Sequence, residues 1–235
     1  MPTWPRRGAV LAALTTLTSL IAATLVALTA APTAQAATYT VAGIDVAGYQ
    51  HPGYGNRKKA GWVPDVDSIN WSKVAASGQQ FAIIKATENS DFVNPYFATD
   101  TAQARAAGMV VGAYHFARPA GASAVAQAQH FARVIGNQKS RGTLPPVLDI
   151  EDDGGLSKAK LATWTQTFLD ELQRLTGRTP MIYSYTSFLQ NEIGSISSFA
   201  RYPVWMAKYS STAPGAIGGW STWSIWQYSS KGKVP

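Results

Sequence analysis

The residues with the clearest capacity for chemistry are two carboxylates at the end of an apolar run, Pro145-Pro146-Val147-Leu148-Asp149-Ile150-Glu151. In a strand, residues i and i+2 face the same side, so Asp149 and Glu151 are predicted to project together, with Cβ atoms roughly 6 to 7 Å apart. Two acids on one face suggest acid-catalysed bond cleavage. A second interpretation stays open, because Asp152 and Asp153 follow directly: the strand could run into a solvated acidic turn or a metal-binding loop.

The elements that must position these acids follow a repeated pattern of helix, glycine and short apolar run. The predicted helices span 71–77, 97–107, 123–135 and 157–176, and they end at Gly78, Gly108, Gly136 and Gly177. The predicted strands span 41–46, 81–84, 109–114, 147–150, 181–185, 204–207 and 224–228. Glycine adopts the left-handed conformation that stops a helix, so this punctuation predicts alternating strands and helices.

The alternation predicts an α/β fold, and the strands are apolar on both faces, as parallel strands covered by helices are. A single modified β/α barrel of the TIM type and an open doubly wound sheet both fit this order. The barrel is favoured because several strands carry polar or aromatic residues at their carboxyl ends, where barrels build their active sites.

The first segment of the chain predicts a secretory signal peptide over residues 1–36. Arg6 and Arg7 precede an apolar run, and Ala34-Gln35-Ala36 forms a small-residue cleavage pattern. The run is long enough for a transmembrane anchor, but its many Thr and Ala residues and the cleavage pattern favour removal. We therefore expect a secreted, extracellular barrel over residues 37–235, with no membrane association after cleavage.

Composition narrows the classes of function. Removing Arg6 and Arg7 lowers the formal charge from +7 to +5, a mild positive field that would help recruit a polyanionic surface such as a bacterial wall, or would simply aid solubility. The cations are scattered except for Arg57-Lys58-Lys59, and no nucleic-acid motif is present. The absence of cysteine excludes disulfides, zinc ribbons and thiol nucleophiles.

Parallel strands bring their carboxyl ends to one rim, which would collect both acids and aromatic rings. Besides the acids, the rim candidates are residues 85–88, Tyr114, His115, Tyr183, Tyr185, Trp205, Trp226 and Gln227. Sugars suit this combination, because aromatic faces stack on their C–H surfaces and carboxyl groups protonate the leaving oxygen. Each residue has a plainer interpretation: the rings as core, His115 as a hydrogen-bonded structural histidine, and Glu88 as the partner of a lysine. No GxGxxG, Walker or GxSxG pattern is present.

At these positions the chain resembles the glycoside hydrolase family 25 lysozymes, the Chalaropsis-type N-acetylmuramidases. Six segments carry the resemblance in the family's order: Gly43-Ile44-Asp45-Val46-Ala47-Gly48-Tyr49-Gln50, Ile69-Asn70-Trp71-Ser72-Lys73-Val74, Phe81-Ala82-Ile83-Ile84-Lys85-Ala86-Thr87-Glu88, Gly112-Ala113-Tyr114-His115-Phe116, Leu148-Asp149-Ile150-Glu151 and Ser224-Ile225-Trp226-Gln227-Tyr228.

The resemblance implies hydrolysis of the β-1,4 bond between N-acetylmuramic acid and N-acetylglucosamine in peptidoglycan glycan strands, without metal or organic cofactor. It implies Glu151 as general acid, Asp149 as partner carboxylate and Asp45 as a third acid in the cleft. Asp149 would attack the anomeric carbon or orient the substrate's N-acetyl group to do so. Negative charge on Asp149 and Asp45 would raise the pKa of Glu151. A monomer is the default expectation for this architecture.

Two departures from the family pattern bear on these expectations. Ala47 stands where the family usually has serine, and the family pattern continues past the Ile-Trp-Gln-Tyr strand to another cleft aspartate, whereas this sequence stops at Pro235. We therefore expect an incomplete last barrel element and reduced stability. Two alternatives follow: a non-catalytic wall-binding module, and a hydrolase of another amino-sugar polymer such as chitin.

Overall fold

A computed structural model describes residues 41–193 and 196–234 of the chain, so the predicted signal peptide lies outside the described residues. The strands are β1 (Ala42–Val46), β2 (Gln79–Glu88), β3 (Phe92–Val93), β4 (Val110–Phe116), β5 (Val147–Asp149), β6 (Met181–Tyr185), β7 (Val204–Ala207) and β8 (Ile225–Gln227). They form one sheet in the order β1-β2-β4-β5-β6-β7-β8, in which these neighbours pair in parallel, and the short β3 pairs antiparallel with β2. The sheet curls into a half-barrel, which confirms the predicted α/β class and the incomplete barrel.

The helices cover the outside of this sheet. They are α1 (Trp71–Ala76), α2 (Phe97–Ala106), α3 (Ala124–Ile135), α4 (Lys158–Thr176) and α5 (Thr186–Asn191). The first four confirm the predicted helices to within a residue at each end, and the glycine that follows each has a positive φ, 96° at Gly78, 85° at Gly108, 60° at Gly136 and 65° at Gly177. Asn70 caps α1 by accepting a 3.0 Å hydrogen bond from the Lys73 backbone N–H, which satisfies one amide of the first turn. α5 was not predicted.

The sheet has an outer and an inner apolar face. On the outer face, Leu148, Ile150 and Ile182 pack against Phe131 of α3 and Phe168 of α4. On the inner face, Val147, Met181 and Ile83 pack with the rings of Tyr183 and Trp205. Burial of both faces agrees with the sequence, in which these strands are apolar on both sides. The inner cluster fills the half-barrel below its rim, so polar residues one step further along each strand lie above an apolar floor.

An irregularity in β2 changes which residues face inward. The register with β4 pairs Lys85 with Tyr114, shifts at Ala86, and then pairs Glu88 with Phe116. In a regular strand residues i and i+3 face opposite sides, but the extra residue of a β-bulge restores the same side. Lys85 and Glu88 therefore both lie on the inner face. Among residues 41–193 and 196–234, no helix is long and apolar enough to cross a membrane.

Candidate active site

The inner face of β5 brings the two predicted acids together. Val147 and Asp149 point inward while Leu148 points to the helices, and Glu151 follows Asp149 at the same two-residue step. The carboxyl groups of Asp149 and Glu151 form a side-chain hydrogen bond with each other. Asp149 is 5% exposed, and its Oδ1 atom has no hydrogen-bond partner. The site thus combines a deep carboxyl group with a shallower one that is nearer to the solvent.

The two carboxyl groups of this pair are not equivalent. Burial raises the pKa of Asp149 well above its usual value, and the negative charges of Glu151 and Asp45 add to the effect, while Lys85 opposes it. Partial burial also raises the pKa of Glu151, but its hydrogen bond with Asp149 works in the opposite direction. The pair therefore holds a proton to higher pH than two isolated carboxyl groups would. The charge of Asp45 also raises the pKa of Glu151, in the direction expected from the sequence.

Asp45 joins the site through a chain of side-chain hydrogen bonds. The Tyr183 hydroxyl donates to Gln227 Oε1 at 2.8 Å, and Gln227 Nε2 donates to Asp45 Oδ2 at 2.9 Å. Burial raises the pKa of Asp45, and the hydrogen bond from Gln227 partly offsets this rise. Because the tyrosine occupies the amide oxygen, the amide nitrogen of Gln227 is directed at the carboxylate. Gln227 therefore positions Asp45 and favours its ionised form.

A second charged group occupies the rim beside β2 and β4. Lys85 Nζ lies 2.5 Å from Glu88 Oε2, and its ammonium group is 5.0 Å from the centre of the Phe116 ring. Arg118 binds the other carboxylate oxygen of Glu88, with Nε donating to Oε1 at 2.8 Å. Its Nη1 donates to Asp152 Oδ2 at 3.0 Å. Although burial raises the pKa of Glu88, the two cations lower it overall. Lys85 is the buried counter-charge nearest to the carboxyl pair.

Three tyrosines complete the cleft. Burial raises the pKa of Tyr114 well above its usual value, and the negative charges of Asp149, Asp45, Glu151 and Glu88 contribute in that order. Burial likewise raises the pKa of Tyr183, and the negative charges of Glu151 and Asp149 raise it further. Burial and then the charge of Glu151 raise the pKa of Tyr185, which is 38% exposed. All three hydroxyl groups stay protonated and remain hydrogen-bond donors around the acids.

Three other candidate residues do not line the surface of the cleft. His115 is fully buried on the outer face of β4, where it bonds Thr87 Oγ1 at 2.8 Å and Gln127 Oε1 at 3.0 Å, and burial lowers its pKa to about 4. Trp226 lies on the outer face of β8, opposite Gln227, and donates to the Lys208 carbonyl at 2.8 Å. Trp205 is 4% exposed beneath Tyr183 and forms part of the floor. The structure therefore brings together the acids, the three tyrosines and Gln227, but not His115 or Trp226.

Sequence reasoning missed the role of Arg118, whereas the plainer interpretation of Glu88 as the partner of a lysine is confirmed by its ion pair with Lys85. A signal for Arg118 exists, since it lies two and four residues beyond the inward-facing Phe116 and Tyr114. No sequence signal marks the bulge that turns Glu88 toward Lys85. Within the described part of the chain, no group of three or more His, Cys, Asp or Glu side chains is placed to hold a metal ion.

A curled parallel sheet with buried carboxyl groups and tyrosines at its carboxyl rim defines a β/α-barrel protein of the glycoside hydrolase class. The family model described as glycosyl hydrolases family 25 matches residues 64–235. The chain belongs to glycosyl hydrolases family 25, as the resemblance of its six segments indicated.

Individual relatives agree with this assignment. The chain is 37% identical over 207 residues to Lysozyme M1 of Streptomyces globisporus, covering 85% of this chain and 65% of that protein. It is 34% identical over 202 residues to the N,O-diacetylmuramidase of Chalaropsis sp, covering 81% of this chain and 88% of that protein. The bacterial lysozyme from Streptomyces coelicolor has a similar structure, with a TM-score of 0.73, 36% identity and coverage of 84% of this chain and 87% of that one. The chain thus spans about two thirds of the length of Lysozyme M1.

Proposed function

We propose that this chain is a secreted muramidase that hydrolyses the β-1,4 bond between N-acetylmuramic acid and N-acetylglucosamine in bacterial peptidoglycan. The observation that carries the proposal is the hydrogen-bonded pair of Asp149 and Glu151, whose pKa values are both raised at the rim of a family 25 barrel. Hydrolysis of a glycosidic bond needs one carboxyl group that holds a proton and a second that stabilises positive charge at the anomeric carbon. The relatives' names, lysozyme and N,O-diacetylmuramidase, support the substrate class.

Glu151 is the proposed general acid because it is the shallower member of the pair. When a glycan fills the cleft, Glu151 gives the proton held by the pair to the glycosidic oxygen as the bond to the anomeric carbon breaks. Asp149 is left as an anion beside the developing positive charge. Water then attacks the anomeric carbon and returns its proton to Glu151, which completes the cycle.

Asp149 is proposed to act through the substrate's N-acetyl group. Its Oδ1 atom is buried and has no hydrogen-bond partner, which costs about 1 to 3 kcal/mol in a folded protein. The N–H of an acetamido group supplies the missing donor, and this contact would turn the acetyl oxygen toward the anomeric carbon. The alternative, direct attack by Asp149, uses the same proton transfer. Trapping of a covalent glycosyl–enzyme intermediate with a fluorinated substrate would distinguish direct attack from assistance by the acetyl group.

The remaining contacts are proposed for the sugar rings. Tyr114 and Tyr183 offer protonated hydroxyl groups among the acids, and the half-exposed Tyr185 offers a ring face at the rim. Asp45, held by Gln227, adds negative charge that favours the positively charged transition state. Residues 1–36 are proposed to direct export, which would bring the protein to its substrate outside the cell.

The test is release of reducing ends from purified peptidoglycan by the wild type and by Glu151→Gln, with Asp153→Asn as the control. Asp153 lies two residues along the same loop and its carboxylate accepts a hydrogen bond from Gly155 N–H at 2.8 Å, so the control removes the same charge outside the pair. We expect newly reduced muramic acid ends after borohydride treatment for the wild type and the control. Glu151→Gln should bind the wall and release fewer than a few per cent of these ends. If the folded wild type binds the wall and releases nothing, the proposed activity is wrong and a binding function remains.

A further inference from the structure

The segment between β1 and α1 is a surface loop with an unusually well-built base. His51 is 3% exposed, and its Nε2 atom lies 3.0 Å from Asp100 Oδ2 in α2, while Nδ1 lies 2.8 Å from Ser68 Oγ. The other oxygen of Asp100 accepts a 3.1 Å hydrogen bond from Trp71 Nε1. These contacts pin both ends of the loop to the helical layer, so the intervening residues are held in one arrangement.

Aromatic stacking extends this base toward the loop surface. The His51 ring is stacked on Tyr96 with centroids 3.6 Å apart, and Tyr54, 6% exposed, packs edge-on against Tyr96 at 6.0 Å. Trp62 packs against the same Tyr54 ring and donates to the Gly53 carbonyl at 3.1 Å. Such a scaffold is more than a simple connection between strand and helix requires, and it rigidifies whatever the outer surface presents.

The outer surface presents one open ring and a cluster of cations, which we call the basic platform and define as Tyr49, Arg57, Lys58 and Lys59. The Tyr49 ring is 71% exposed and packs edge-on against Tyr54 at 5.1 Å. The Arg57 guanidinium lies over both rings, 4.4 Å from the centre of Tyr54 and 5.8 Å from that of Tyr49. Within the described residues, none of the three cations has a carboxylate partner, in contrast to Lys85 and Arg118 of the rim.

The basic platform lies beside the cleft. β1 ends at Val46, and Tyr49 lies only four residues beyond Asp45, a span of at most roughly 14 Å of extended chain. Glu88 of the rim is close enough for its charge to raise the pKa of Tyr54, after the larger contributions of burial and of neighbouring groups. The positive surface therefore adjoins an inner cleft lined by Asp45, Glu88, Asp149 and Glu151, and the two have opposite charge.

We propose that the basic platform binds the carboxylates of the peptide stems that branch from muramic acid, an inference that rests on the proposed function. The acidic cleft suits an uncharged acetylated glycan and would repel the anionic stems. A stem is attached to a sugar that lies in the cleft, so it must leave the rim within a short distance of the bond to be cut. The guanidinium fork of Arg57 and the two exposed lysines match several carboxylates on one peptide. The exposed Tyr49 ring offers a face for the sugar or peptide at the boundary.

The test compares Lys58→Glu/Lys59→Glu with the wild type and with Lys139→Glu/Arg141→Glu as the matched control. All four side chains are exposed and none has an ion-pair partner among the described residues, so neither double variant disturbs packing. Lys139 and Arg141 precede β5, at the opposite end of the strands from the cleft. The control therefore makes the same change in net charge at a distant place.

Three substrates separate the sources of negative charge. They are peptidoglycan stripped of phosphate polymers, the same material after an amidase has removed its stems, and whole walls that retain phosphate polymers. Binding is measured in parallel by fluorescence anisotropy with a labelled disaccharide–tetrapeptide and with the disaccharide alone. The binding measurement reports on the basic platform even if the chain cleaves no substrate. It therefore distinguishes an error in the proposed function from an error in the proposed role of the basic platform.

On stripped, stem-bearing peptidoglycan we expect Lys58→Glu/Lys59→Glu to lower kcat/KM by about tenfold through KM, and to weaken binding of the disaccharide–tetrapeptide by a similar factor. The effect should fade at about 1 M salt, where charges are screened within roughly 3 Å. The control and all stem-free reactions should stay within twofold of the wild type. An equal loss on stem-free glycan, a loss confined to walls with phosphate polymers, or no loss at all would overturn the assignment.

Discussion

Gln227 in the last strand donates a 2.9 Å hydrogen bond to Asp45 in the first strand, across 182 positions of sequence. β1 and β8 are the two ends of the sheet order, and among the described strands no backbone pairing joins them. The same amide accepts a hydrogen bond from Tyr183 of β6. One side chain thus links both edges of the half-barrel and also sets the ionisation of an acid in the cleft.

Replacing Gln227 with Leu should make Asp45 harder to ionise. The hydrogen bond from Gln227 lowers the pKa of Asp45 against the opposing effect of burial, so its loss raises that pKa. If activity requires ionised Asp45, the acidic limb of the kcat/KM profile should move to higher pH, by about one to two units for a bond to a charged group worth about 1.5 to 3 kcal/mol. Tyr183→Phe serves as the control, because it keeps the bond to Asp45 and should shift the limb less. An unmoved limb in Gln227→Leu would contradict this role.

Asp149→Asn should stabilise the protein while removing its activity. The raised pKa of Asp149 means that the native state binds the proton more tightly than the unfolded chain, so its contribution to the free energy of unfolding is largest at low pH and is lost as pH rises through the native pKa. Asn mimics the protonated form at every pH. Urea unfolding at pH 7 should show a higher free energy of unfolding than for the wild type, and the gain should shrink toward pH 4. Equal stability at pH 7 would show that Asp149 bears no ionisation penalty.

Lys85→Met should change the basic limb of the kcat/KM profile. Lys85 lowers the pKa of Asp149 by its charge, so without it the carboxyl pair retains its proton to higher pH. We expect the basic limb of the kcat/KM profile to move to higher pH, whatever the change in maximal rate.

The control for Lys85→Met is Arg118→Met, which removes the ion pairs to Glu88 and Asp152. The Arg118 side chain is 43% exposed, and exposed ion pairs contribute up to about 1 kcal/mol, so both stability and the basic limb should change little. If both variants moved the basic limb equally, overall charge, and not the buried position of Lys85, would control the pKa values of the pair.

His115→Gln should retain activity and reduce the acid sensitivity of the fold. His115 is buried with a pKa lowered to about 4, so between its unfolded value of 6.5 and about 4 the unfolded chain binds a proton that the native state does not. Stability is therefore lost as pH falls through this window, on the order of 3 kcal/mol at pH 4. Unfolding curves from pH 7 to pH 4 should be flatter for His115→Gln. A large loss of kcat/KM at pH 7 in a folded variant would show that His115 contributes to the active site.

Local patterns allowed the regular parts of the fold to be predicted. Gly78, Gly108, Gly136 and Gly177 marked four helix ends because only glycine adopts those backbone angles without strain. The i, i+2 rule predicted Asp149 and Glu151 on one side, and the alternation holds although β5 ends at Asp149 and Glu151 lies two residues beyond it. These signals depend on neighbouring residues alone, so a sequence contains them in full.

What could not be predicted depends on pairing between distant segments. Tyr114 and His115 are adjacent and both follow an apolar strand, so only the register of β4 decides that one faces the cleft and the other faces α3 and α4. The same holds for Trp226 and Gln227 in β8. The bulge at Ala86 arises from how β2 pairs with β4. Whether Asp149 or Glu151 holds the proton depends on depth, which is a property of the assembled barrel.

The closure of the sheet by a side chain also bears on how a long polymer can enter. A ladder between β8 and β1 would fix the two edges through several backbone bonds, whereas the described contacts between them are the Gln227–Asp45 hydrogen bond and the packing of Val234 beside the cluster that contains Val46. Side chains, and not a backbone ladder, therefore join the two edges of the described sheet. If the proposed function is correct, we expect such a cleft to accept a cross-linked strand from the side without a free end, which would suit attack in the middle of a network.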